Sequence, residues 1–150
     1  MLDAFGFLVV VIFALYSVPL DLRQRRIPNS MLVTLFFCEC VIVVVSGKLG
    51  KALVGGSAIF LVYLFAHTWS KKAIGAGDVK LVAVLGFGLA FTTLRESIIW
   101  TFSLWSFGAI HALGAMVFRR SLRISIAFAP AIFLGTLTYL AAPIWSSLPQ

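Results

Sequence analysis

The sequence predicts an all-α, polytopic membrane protein: a bundle of about six transmembrane helices forming one integral-membrane domain over residues 1–150. Three observations carry this prediction. Hydrophobic residues make up 61% of the chain and charged residues only 11%, with a mean hydropathy of +1.07, too little polar surface to cover a water-soluble globule. The apolar residues fall into six runs divided by short polar or glycine-containing breaks, and a spanning helix needs about 20 mostly apolar residues. The basic residues alternate in density from one break to the next, as they do in loops on opposite sides of a membrane.

The first run, residues 4–20, follows Asp3 and precedes Asp21-Leu22-Arg23-Gln24-Arg25-Arg26. A secretory signal peptide carries its positive charges before the apolar region, so the reversed order predicts a retained helix with its N-terminus outside. Ile27-Pro28-Asn29-Ser30 reads as a turn and helix start, with Pro28 breaking the pattern and Asn29 or Ser30 capping a second helix over 31–45. After the turn Ser46-Gly47-Lys48-Leu49-Gly50-Lys51, a third run covers 52–69, and Gly55 and Gly56 near its start permit close helix packing. The polar stretch 70–80 contains Gly75-Ala76-Gly77-Asp78-Val79-Lys80 and leads into a short apolar segment over 79–94, closed by Arg95-Glu96. A fifth run, 97–118, ends at Arg119-Arg120-Ser121-Leu122-Arg123, and a sixth covers 124–145 with Pro130 interrupting it. Cys38 and Cys40 lack a CxxC spacing and read as packing residues.

Loops one, three and five hold Arg23, Arg25, Arg26, Lys71, Lys72, Lys80, Arg119, Arg120 and Arg123, whereas loops two and four hold Lys48, Lys51 and Arg95. The positive-inside rule makes the first set cytoplasmic and leaves both chain ends outside. The net charge of +7 therefore reports topology and contact with anionic membrane lipid, not a nucleic-acid surface. This orientation sorts the five acids. Asp21 ends helix one and Asp78 begins helix four, both at the cytoplasmic face. Asp3 and Glu96 fall on the opposite side, and Glu39 lies roughly 12 Å deeper than the start of helix two at about 1.5 Å per residue.

An acid at the edge of hydrocarbon is costly and marks a functional site by default. Two carboxyls facing each other cannot both ionise cheaply, so they share a proton; the ionised member activates water and the protonated member polarises a carbonyl. That chemistry hydrolyses a peptide bond without a metal, a cofactor or a nucleophilic side chain. Gly75 and Gly77 supply backbone freedom for an extended substrate to lie beside Asp78. Blander readings stand beside this one: Asp78 as a helix cap, Asp21 as a juxtamembrane charge balanced by Arg23 or Arg25, Lys80 as a snorkelling headgroup contact. Glu39 reads as neutral or hydrogen-bonded within the bundle, or as a third acid. His67 and His111 offer no metal-ligand spacing, and Gly55-Gly56-Ser57-Ala58 is a poor serine-protease site. A non-enzymatic scaffold or a small proton-linked transporter would use the same two acids differently.

The motifs also carry a resemblance. Gly75-Ala76-Gly77-Asp78-Val79-Lys80-Leu81 resembles the GxGDxKL motif of the type IV prepilin peptidases, a family of GxGD intramembrane aspartic proteases. Asp21-Leu22-Arg23-Gln24-Arg25-Arg26-Ile27-Pro28-Asn29 resembles that family's first aspartate motif, and residues 126–135 around Pro130 are similar to its late proline-containing helix. The resemblance implies Asp21 and Asp78 as catalytic aspartates, with Gly75, Gly77, Lys80, Pro28 and Asn29 forming the active-site loops. It implies a prepilin partner whose short basic leader is cut at the cytoplasmic face of a prokaryotic inner membrane. The chain carries no N-terminal cysteine-motif region of the kind that methylating members add, so the expectation is a peptidase similar to those of Flp, or tight-adherence, pilus systems. Ala127 and Ala129 stand where the family often has proline and glycine.

Overall fold

The computed structural model describes residues 2–69, 74–119 and 127–141. These form six helices: α1 (Leu2–Gln24), α2 (Asn29–Val45), α3 (Leu49–Trp69), α4 (Ala76–Leu89), α5 (Leu94–Arg119) and α6 (Ala129–Ala141). Lys71, Lys72, Arg120 and Arg123 of the basic count, Ile126 of the late motif and both ends of the expected sixth run lie outside the described residues.

The protein is an all-α membrane protein, and its surface shows why. Phe37, Val54, Phe65, Phe102 and Phe118 all point outward and are largely exposed, which suits lipid and not water. Three helices are long and apolar enough to cross a bilayer, over Ala4–Gln24, Leu49–Trp69 and Leu94–Phe118. The helices α2, α4 and α6 are shorter; the 14 residues of α4 rise only about 21 Å against a hydrocarbon core of about 30 Å. The short α4 is central, packing against α1, α2 and α3 and burying Val79, Leu81, Val82, Leu85 and Phe87 on several sides. A helix apolar all round belongs inside a bundle. The α6 helix packs against α5 and α1.

Missing side chains set the closest approaches. A Cβ on Gly56 of α3 would lie 2.9 Å from Phe87 Cβ and 3.1 Å from its Cα on α4. One on Gly135 of α6 would lie 2.8 Å from both the backbone nitrogen and the Cα of Leu104 on α5. At that interface the Trp100 indole N–H donates to Thr136 Oγ1 at 3.1 Å, a buried bond between helices.

Several helix boundaries differ from those expected, for local reasons. The N-cap of α2 is Pro28, with no side-chain cap bond, so neither Asn29 nor Ser30 caps it. The α4 helix begins at Ala76 and stops at Leu89, because Ala90 turns left-handed (φ 44°) and donates its N–H back to the Phe87 carbonyl. Arg95 and Glu96 belong to the first turn of α5 and not to a loop. The Glu96 N–H donates to Thr93 Oγ1 at 3.3 Å, and the Thr92 N–H donates to Glu96 Oε2 at 2.8 Å, a variant of the Thr-x-x-Glu cap in which the carboxylate reaches one residue further back. Pro130 does not interrupt α6. It lies in the first turn, where a missing N–H leaves no helical bond unmade.

Candidate active site

Val10, Ala14, Ser17 and Asp21 recur at intervals of four, three and four, forming the buried stripe of α1. Asp21 is thus the end of a core-facing row, and it is 7% exposed. Its own helix stops just beyond it: Arg25 is left-handed (φ 51°) and donates its N–H to the Asp21 carbonyl at 2.9 Å. The Asp21 carboxylate reaches a third element. Its Oδ2 accepts the backbone N–H of Ala129, the first residue of α6, at 2.9 Å in a buried setting.

Asp78 is equally enclosed, at 8% exposed. Gly75 is the N-cap of α4, which makes Asp78 its third helical residue and not the cap itself. The carboxylate folds back to accept the Gly75 N–H. This explains the glycine differently from the expected backbone freedom. Gly75 has φ −64° and ψ 139°, extended values open to any residue, but a Cβ there would lie 2.8 Å from Asp78 Oδ2. The chain just before it is tethered by the Nδ1–H of His67 on α3, which donates to the Ile74 carbonyl at 2.6 Å.

The two motifs meet. Ile27, between α1 and α2, packs over Gly77, where an added Cβ would stand 3.4 Å from Ile27 Cβ. The Lys80 Nζ donates to Asn29 Oδ1 at 3.1 Å, joining α4 to the start of α2, so Asn29 serves this link and Lys80 is not only a headgroup contact. Asp21 and Asp78 line one cavity of about 300 Å³ with Arg25, Arg26, Asn29 and Lys80, and the Asp21 charge acts on Asp78. Pro28 stands at the N-cap of α2, in extended conformation, and shapes the turn that carries Ile27 and Asn29. A groove of about 360 Å³ at the opposite end is lined by Val54, Gly55, Phe91 and Leu94 among others and holds no acid. Chemistry, not volume, singles out the aspartate cavity.

Two features near the site have no sequence signature. One is the Ala129 amide. The other is Tyr63 of α3, fully buried, with its ring 6.0 Å from that of Trp105 and near enough to sense the Asp78 charge. Glu39 does not join the pair: it is fully buried against Gly88 of α4, and neither carboxylate oxygen has a hydrogen-bond partner among the described residues. His67 takes a structural bond, and His111 belongs to α5.

The fold and cavity define a class first, that of helical membrane proteins with two carboxylates brought together at one end of the bundle. The chain matches the type IV leader peptidase family over residues 8–140 and belongs to it. It is 27% identical over 139 residues to the prepilin leader peptidase/N-methyltransferase of Bacillus subtilis (strain 168), a match covering 91% of this chain and 55% of that protein. The chain therefore spans about half the length of this curated relative. No solved structure matches it significantly.

Proposed function

We propose that this protein is an aspartic endopeptidase that removes the short basic leader of type IV prepilins, of the Flp kind, at the cytoplasmic face of the inner membrane. Asp21 and Asp78 are its catalytic pair. The observation that carries this reading is their burial on one shared cavity, reached from helices far apart in sequence. Family membership supports it independently.

The pair holds one proton between its two carboxyls. The ionised member takes a proton from water as the oxygen attacks the scissile carbonyl carbon, and the protonated member donates to the carbonyl oxygen. The resulting tetrahedral intermediate collapses as a proton passes to the leaving nitrogen and the C–N bond breaks. Gly75 keeps space open for the Asp78 carboxylate, while the Lys80–Asn29 bond and Ile27 over Gly77 hold the two motifs in register. Each support acts on position, on which catalytic rate depends steeply.

The test is co-expression with a prepilin from the same genome, following the leader by gel shift and mass spectrometry. Wild type is expected to cleave, and Asp21→Asn and Asp78→Asn to accumulate precursor while remaining folded in the membrane. Cleavage by either variant at the wild-type rate would sink the aspartate pair. Proton-linked uptake lost in the same variants, with no cleavage by wild type, would establish a transporter in its place.

A further inference from the structure

This inference rests on Asp21 being half of the catalytic pair. The Asp21–Ala129 hydrogen bond connects residues 108 apart and is buried. The first turn of α6 leaves few N–H groups to aim outward: Pro130 has none, and the Ala131 and Ile132 N–H groups both return to the Phe128 carbonyl, at 3.0 and 3.1 Å. Ala129 is completely buried, so without Asp21 its N–H would be an orphan.

The donor is also rigidly aimed. Pro130 restricts the backbone of Ala129 before it. The Phe128 ring fills the space over Gly108, where a Cβ would come within 2.5 Å, and packs 6.2 Å from the Trp105 ring. Beyond it, Gly135 against Leu104 and the Trp100–Thr136 bond clamp α6 to α5.

We propose that the backbone amide of Ala129 is a positioning group for catalysis: by holding Asp21 Oδ2 it leaves Oδ1 as the oxygen presented to water and to Asp78. Asp78 is oriented locally, by Gly75 three residues away, whereas the Asp21 carboxylate is held from a distant element, by the first residue of α6. The late proline-containing segment thereby acts in the site through one N–H, and alanine at 129 satisfies the role because the donor is main chain. The bond also caps α6, and a capping role alone predicts a stability loss without a rate loss.

The test replaces the Ala129 amide by an ester, using the α-hydroxy analogue of alanine, in the full-length protein reconstituted in lipid vesicles with a prepilin substrate. This deletes the N–H and also weakens the Phe128 carbonyl as acceptor for the Ala131 and Ile132 N–H groups, so thermal unfolding is measured beside the rate. The expected result is a fall in kcat of about 30-fold with KM changed less than about threefold. Ala129→Gly, which keeps the N–H, is expected to cleave within about twofold of wild type. If the ester variant does not fold, Ala129→Pro removes the same N–H at a helical position that tolerates proline. An unchanged kcat in a folded ester or proline variant, or a loss confined to KM or to stability, overturns the proposal. Asp21→Asn is assayed in parallel: if it cleaves like wild type, the catalytic-pair reading fails and this proposal falls with it, whereas an inactive Asp21→Asn beside a fully active ester variant refutes the positioning role alone.

Discussion

At the residue scale, the glycines of the Gly75-Ala76-Gly77-Asp78 segment do different work. The Asp78 carboxylate occupies the space a Gly75 side chain would fill, and it is the end of a side chain able to swing away. Gly75→Ala is therefore expected to fold normally and to lower kcat about 10- to 100-fold, read by cleavage rate beside thermal unfolding. Gly77→Ala meets Ile27 at near-ordinary contact distance and is expected to stay within about threefold of wild type in the same assay. Glu39 gives a contrasting prediction. A buried carboxyl without a partner costs stability, so Glu39→Met is expected to leave cleavage unchanged and to stabilise the protein by about 1–3 kcal/mol, measured by denaturant unfolding in detergent. Loss of cleavage in Glu39→Met would make Glu39 part of the reaction. The two aspartates were legible in the sequence as candidates, Asp78 from its glycines and Asp21 from its place at the end of the first apolar run, ahead of Ile27-Pro28-Asn29. The reason for Gly75 was not, because a glycine kept for space and one kept for dihedral freedom are written alike.

At the element scale, backbone contacts through Gly56 and Gly135 hold the bundle in two places. A Cβ at Gly135 strikes the Leu104 main chain, which cannot yield as a side chain can. Gly135→Ala is expected to destabilise by about 1–3 kcal/mol and, by shifting α6, to lower kcat as well. Gly56→Ala is expected to cost a similar amount of stability through Phe87, at an interface away from the Asp21–Ala129 bond, with a smaller effect on kcat. Thermal unfolding and cleavage rates measured together separate the two, and equal kcat losses would show that α6 has no special link to the site. Helix ends were the least legible part of the chain. Thr93-x-x-Glu96 is a readable cap, but Arg95 and Glu96 resemble loop charges when counted as charges. Pro130 resembles a kink until its position in the first turn is known.

At the scale of the whole molecule, the aspartate cavity and the α2–α3 turn lie at opposite ends of the bundle. We propose, from the basic-residue count, that the cavity end faces the cytoplasm. In a background with Cys38→Ala and Cys40→Ala, a cysteine at Arg26 is expected to react with an impermeant maleimide only from the cytoplasmic side, and one at Lys51 only from outside. Reaction of both from one side would overturn the orientation. The amino-acid sequence by itself determined the membrane class and the helix number and singled out the two acids as candidates, since these follow from hydropathy, spacing and charge along the chain. Only the tertiary structure decided that the acids share a cavity, that Gly75 makes room for Asp78, and that Asp21 is held by α6. A main-chain N–H is the same at every residue but proline, so which one meets a distant carboxylate is settled by helix packing and leaves no mark in the sequence.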